Sequence, residues 1–180
     1  MKYNSLEYWN TRKNPNAKHG LLDYEKKAIT SHIEEQREIL DFGCGIGRTF
    51  KLYGDRIVVG LDFSKAYEQL AEAEADKHQL NYKHIIHNVH KKDLPFVSNA
   101  FDCGILNKVL LHANDKEAVR ILQEMGRVCG RVLLVAYNNG TTKTASHVFS
   151  RDYKALINKL GFKVESFTHT QDQDILVYEA

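Results

Sequence analysis

Proline and cysteine are scarce in this chain, and neither acid nor base dominates it. Two prolines, Pro15 and Pro95, leave long stretches free to form regular helices and strands. The three cysteines, Cys44, Cys103 and Cys129, lie far apart and make no C-x-x-C pair. That spacing excludes a disulfide framework and points to a reducing, cytoplasmic setting. The net charge is only +2, from 25 basic and 23 acidic residues. There is thus no electrostatic case for nucleic acid as an obligatory partner, although a local basic patch stays open. No apolar run approaches the roughly 18 residues of a membrane-spanning helix. The opening Met1-Lys2-Tyr3-Asn4-Ser5 carries no apolar segment of the signal-peptide kind. No repeat and no low-complexity segment is visible. What is present is an ordinary globular balance, 43% apolar and 27% charged over 180 residues, which suits one domain with a full core.

The most informative stretch runs from Ile39 through Leu40, Asp41, Phe42, Gly43, Cys44, Gly45, Ile46 and Gly47 to Arg48. Apolar residues lead into an acid, and three glycines follow at alternate positions. A buried strand opening into a glycine turn reads this way. Glycine admits positive φ and lets a ligand approach the main chain closely. A second strand end of the same kind, Ile57-Val58-Val59-Gly60-Leu61-Asp62, comes 21 residues after Asp41. A nucleoside ribose suits such an acid, with its two hydroxyls on one carboxylate. The dinucleotide fingerprint G-x-G-x-x-G, begun at Gly43, would need a glycine where Arg48 stands.

Periodicity predicts alternating strands and helices. Helices are expected over 21–36, 47–53, 114–127 and 151–160, and over a segment capped by Ser64 that runs to Lys77. Strands are expected over 38–42, 56–62, 82–87, 101–106, 131–137, 162–168 and 174–179. The last two have only a short link, so they must pair antiparallel. The predicted fold class is α/β: a doubly wound, Rossmann-like, mostly parallel seven-stranded sheet with one antiparallel strand near the edge. Asp41, Asp62 and Asn107 all fall at predicted strand ends, where open α/β sheets bind ligands.

The run D-x-G-x-G-x-G from Asp41 to Gly47 resembles motif I of the class I S-adenosylmethionine-dependent methyltransferases. Asp93-Leu94-Pro95-Phe96 followed by Asn99-Ala100-Phe101-Asp102 is similar to that family's stretch between strands three and four. Asn107-Lys108-Val109-Leu110-Leu111-His112 resembles the segment after strand four, and Gly130-Arg131-Val132-Leu133-Leu134-Val135 the start of strand five. The resemblance covers residues 36–137 well and is nearest to the small type 11 group. It implies S-adenosylmethionine as cofactor and methyl transfer to an oxygen, nitrogen or carbon nucleophile by in-line displacement. Asp41, Gly43, Gly45, Gly47, Asp62 and Asn107 are the expected cofactor residues. Phe63 and Val89 are expected to cover the adenine, and Asn88 to accept from its amine where the family often has an acid. Trp9 and Arg12 suit a lid, with Arg12 meeting the methionine carboxylate.

Chemistry at the acceptor is less constrained. The methyl group arrives already activated, so the protein mainly orients two reactants. His112, just past strand four, and His147, in the loop after strand five, are candidate bases for a neutral nucleophile. Tyr137 is a candidate for lining the acceptor site. His84, His87 and His90 recur every third residue, but a strand would point the first two apart, and no metal site is expected. Residues 1–36 are expected to form a lid and supporting helix, and 37–180 the cofactor-binding unit. A small-molecule acceptor is the leading expectation, with no membrane partner. An RNA or protein acceptor, or a non-catalytic role beside a partner subunit, remains open. A nicotinamide-dependent reductase is disfavoured by Arg48.

Overall fold

The computed structural model describes residues 7, 9, 20–87, 93–138, 148–170 and 173–179. Seven strands form one sheet: β1 (Glu38–Phe42), β2 (Ile57–Asp62), β3 (Asn81–Ile86), β4 (Phe101–Asn107), β5 (Cys129–Tyr137), β6 (Lys163–His169) and β7 (Gln173–Glu179). Their order across the sheet is β3-β2-β1-β4-β5-β7-β6. The first five pair in parallel, and β7 lies antiparallel to both β5 and β6. The strand order reverses between β1 and β4, which opens a crevice beyond their carboxyl ends.

Helices α1 (Asp23–Ile33), α2 (Lys65–Lys77), α3 (Asp115–Val128) and α4 (Tyr153–Lys159) cover the two faces. Strand alternation sorts the core. Ile39, Val58, Cys103, Ile105 and Val135 face α1 and α2, where they pack with Ile29, Ile33, Phe50 and Ala71. Leu40, Leu106, Val132, Leu134 and Tyr178 face α3 and α4, where they meet Ile121, Leu122, Met125 and Ile157. A parallel sheet buried on both faces needs apolar residues at successive positions. The Ile39-Leu40 and Ile105-Leu106 pairs meet that need.

Sequence chemistry also fixes the helix ends. Asn114 caps α3: its Oδ1 accepts the N–H of Glu117 at 3.1 Å, and Glu117 Oε2 accepts the N–H of Asn114 at 2.8 Å. At α2 the expected cap, Ser64, holds the N-cap position without a side-chain bond to any described residue. Its N–H instead donates to Asp62 Oδ1 at 2.8 Å.

The helix expected over 47–53 is a correction. The chain there is a series of turns with a single 3-10 turn, Phe50–Leu52. The bonds run i to i+3, from Phe50 N–H to Gly47 O, Leu52 N–H to Thr49 O and Tyr53 N–H to Phe50 O. A 3-10 turn places side chains i and i+3 above one another. Phe50 and Tyr53 therefore meet with ring centroids 6.0 Å apart and planes tilted by 42°, both fully buried. An α-helix would splay them by 60°.

Candidate functional site

The glycine turn sits between the ends of β1 and β2. Gly43 and Cys44 donate their N–H groups to Leu61 O at 2.7 and 3.2 Å, which folds the turn back over β2. Gly43, Gly45 and Gly47 all have positive φ, of 71°, 56° and 80°. Gly43 is packed: a Cβ built there would stand 2.5 Å from Val109 Cγ2. Gly45 is open, with no atom of the described residues within 4 Å of a Cβ built there. The main chain at Gly45 is thus bare toward the crevice, as close approach of a ligand requires.

Both acids of the two strand ends are buried, and each is tied to this turn. Asp41 Oδ2 accepts the hydroxyls of Thr49 and Tyr53, each at 2.6 Å. Asp62 Oδ2 accepts the N–H of Gly45 at 3.0 Å, while its Oδ1 takes that of Ser64. Burial raises the pKa of both carboxyls; the two hydroxyls oppose that shift at Asp41, and the Ser64 and Gly45 N–H groups oppose it at Asp62. Tyr82, on β3, closes the outer side. Its hydroxyl lies 2.7 Å from His84 Nδ1 and 3.8 Å from Cys44 Sγ. Burial pushes the Cys44 thiol well above its ordinary value, which disfavours the thiolate.

The third side of the crevice is the exit of β4. Asn107 closes the strand, and its Oδ1 is buried without a hydrogen-bond partner among the described residues. Lys108 follows in a left-handed conformation, φ 59°, with its N–H on Val135 O at 2.7 Å. A 3-10 turn, Leu110–His112, then carries His112. The Trp9 ring stands edge-on to His112 at 4.7 Å and to Tyr67 at 6.5 Å. Phe63 lies half-buried beside Asp62, and Tyr137 half-buried at the end of β5. Asn88, Val89, Arg12 and His147 lie outside the described residues.

Several contributors were not legible in the sequence. Arg151 reaches the β4 exit from beyond β5. It donates to Leu110 O at 3.0 Å, Ala113 O at 2.6 Å and Asp115 Oδ1 at 2.9 Å. Those contacts bracket His112. Two of the three acceptors are main-chain carbonyls, which carry no sequence signal. Thr49 and Tyr53 did have one: hydroxyls eight and twelve residues after a buried acid. Among the described residues, no cluster of three His, Cys, Asp or Glu side chains could hold a metal, and no helix is long and apolar enough to cross a membrane.

The profile of the methyltransferase domain family matches residues 39–131, just over half of the chain, from β1 through the glycine turn to the start of β5. The chain belongs to the methyltransferase domain family. An O-methyltransferase, rstn1, from Aspergillus nomiae is 26% identical to this methyltransferase over 164 residues, covering 79% of this chain and 71% of the relative. Solved structures share the fold. Magnesium protoporphyrin IX methyltransferase from Synechocystis PCC 6803, with bound S-adenosylmethionine, superposes with a TM-score of 0.74 at 13% identity, over 99% of this chain and 98% of that one. The PH0226 protein of Pyrococcus horikoshii OT3 gives 0.70 at 20% identity, over 96% and 98%. Burkholderia thailandensis 1,6-didemethyltoxoflavin-N1-methyltransferase, with bound S-adenosylhomocysteine, gives 0.69 at 13% identity, over 87% and 76%.

The residues present fit S-adenosylmethionine. At the ends of β1, β2 and β4 stand the open main chain at Gly45, two buried acids and Asn107, whose Oδ1 has no hydrogen-bond partner among the described residues. A cofactor with a ribose diol and a cationic amino-acid end offers donors to both kinds of acceptor.

Proposed function

We propose that this methyltransferase transfers the methyl group of S-adenosylmethionine to an oxygen, nitrogen or carbon nucleophile of a small-molecule acceptor. The observation that carries the reading is the joining of Asp62 to the bare glycine turn at Gly45, inside the segment that matches the family. The bound cofactor supplies an activated methyl group on a sulfonium sulfur. The chain's own work is to bind, orient and deprotonate.

Asp62 would take the ribose hydroxyls on the lone pairs left by Gly45 and Ser64. Asp41 sets the turn through Thr49 and Tyr53, so that Gly43, Gly45 and Gly47 present their main chain to the amino-acid end. Asn107 Oδ1 would accept from the cationic amine. Phe63, Asn88 and Val89 would take the adenine, and Trp9 and Arg12 would cover the site. The contact of Trp9 with His112 and Tyr67 supports residues 1–36 as lid and supporting helix on the 37–180 unit. His112 would accept the proton of a neutral nucleophile, with His147 the second candidate. Three buried free cysteines support a reducing, cytoplasmic setting.

Two similar structures are named for small acceptors, magnesium protoporphyrin IX and 1,6-didemethyltoxoflavin, and the curated relative is named an O-methyltransferase. These names favour a small acceptor over RNA or protein. The test is transfer of label from methyl-labelled S-adenosylmethionine to pooled phenols, carboxylic acids and amines, with RNA and a protein extract in parallel. Label in a small product one methyl heavier supports the reading. Label in RNA or protein alone overturns the acceptor class. Cofactor binding without any transfer points to a non-catalytic subunit.

A further inference from the structure

We infer that Glu25 and Lys108 are positioning residues for cofactor binding, and that their ion pair holds the exit of β4 against the glycine turn. The inference rests on the reading of this crevice as the S-adenosylmethionine site. Glu25 is the third residue of α1 and its side chain is fully buried. Its Oε2 accepts the N–H of Leu22 at 2.7 Å, closing the start of the helix. Its Oε1 lies 2.7 Å from Lys108 Nζ, and the lysine side chain is only 21% exposed.

Two unfavourable features meet at Lys108. Taking a carboxylate and an ammonium out of water is costly, and an apolar pair often holds a fold as well or better. The left-handed backbone at φ 59° adds strain that a non-glycine residue seldom carries. Strain of this kind collects where function requires a particular geometry.

The neighbours of Lys108 show what that geometry does. On one side is Asn107, whose buried Oδ1 has no hydrogen-bond partner among the described residues. On the other is Val109, the side chain that packs against Gly43. With its backbone reversed, Lys108 bonds Val135 O through its N–H and reaches α1 through its side chain. Glu25 thus anchors the one residue from which both Asn107 and Val109 take their bearing. The partners stand 83 positions apart in the chain, so the pair also ties the start of α1 to the site that Trp9 overlies.

A mere strut and a positioning pair differ in what they change. A strut alters stability with or without ligand; a positioning pair alters affinity. Titration of S-adenosylhomocysteine into wild type, Glu25→Gln, Lys108→Met, the double variant, Lys108→Gly and Lys108→Arg separates the two. Each neutral single variant is expected to weaken binding by about tenfold, within the range of coupling through packed networks. The double variant should bind no more weakly than the weaker single one, because both break one pair. Lys108→Gly removes the backbone strain along with the charge, so it offsets part of the cost of leaving Glu25 unpaired, and it should still bind weakly. Lys108→Arg should recover most of the affinity. Wild-type affinity in the neutral variants, with only their unfolding midpoints lowered, overturns the inference. So does wild-type or tighter binding by Lys108→Gly. Absence of binding by the wild type overturns the cofactor reading itself, and this inference with it.

Discussion

The carboxylate of Asp62, at the end of β2, accepts the main-chain N–H of Gly45, in the turn after β1, at 3.0 Å. The two sequence features that define the crevice are therefore one structural unit. The second oxygen of the same carboxylate holds Ser64 at the start of α2. A single side chain orients the bare main chain at Gly45, the first turn of a helix and its own remaining lone pairs.

Replacing Asp62 by Ala should weaken S-adenosylhomocysteine binding by about 1–3 kcal/mol, because paired polar groups on both sides lose their acceptor. Calorimetric titration reads this directly, and wild-type affinity in the variant would contradict the assignment.

Gly45 and Gly43 should respond differently to substitution. Asparagine tolerates a left-handed backbone better than most residues, and no atom lies within 4 Å of a Cβ at Gly45. Gly45→Asn should fold with a thermal midpoint near wild type and lose most cofactor affinity. Gly43→Ala meets Val109 Cγ2 at 2.5 Å, and overpacking should lower stability by about 1–3 kcal/mol. Thermal unfolding and titration of the pair check both; equal loss of stability in the two would contradict the reading of open space at Gly45.

Asp41→Asn should hold or raise stability at neutral pH. Burial raises the folded pKa of Asp41. Its contribution therefore favours the fold below the unfolded carboxyl value and is lost as pH rises through the folded one. An amide removes the buried charge, and its single carbonyl oxygen can still accept from Thr49 and Tyr53. Tyr53→Phe, which leaves that oxygen one donor short, should cost about 1 kcal/mol. Urea unfolding at pH 7 compares the two; a severely destabilised Asp41→Asn would contradict the account of the charge.

A histidine remote from the crevice should govern stability in mild acid. His32, on α1, is buried, and burial followed by the nearby Arg131 lowers its pKa to about 4. Between that value and the ordinary 6.5, the unfolded chain binds the proton and the folded chain does not, so stability falls as pH drops across the window. The loss should approach about 3 kcal/mol at the acid end. Buried Asp41 and Asp62, whose raised values favour the fold at low pH, oppose it there. Unfolding midpoints from pH 7 to 4 should decline in wild type and flatten in His32→Gln. Parallel profiles would contradict the role.

What the sequence made legible was chemistry carried by neighbouring residues. The two acids, the glycine spacing and the strand alternation each depend on a few adjacent positions, and their meeting place follows from sheet topology. The 3-10 turn after Gly47 was not legible, because helical spacing of Phe50 and Tyr53 does not reveal that the two rings must meet and that the Tyr53 hydroxyl must reach Asp41. The Glu25–Lys108 pair and the grip of Arg151 on Leu110 and Ala113 were not legible either. They join distant segments, and Arg151 does so through carbonyl groups common to every residue.

The central claim is that this crevice binds S-adenosylmethionine. Isothermal titration of the purified protein with S-adenosylmethionine and S-adenosylhomocysteine, with NADH as control, tests it most directly. The account predicts binding of the first two near the micromolar range, about −8 kcal/mol, and none of NADH. Binding of NADH without either adenosyl compound would contradict it.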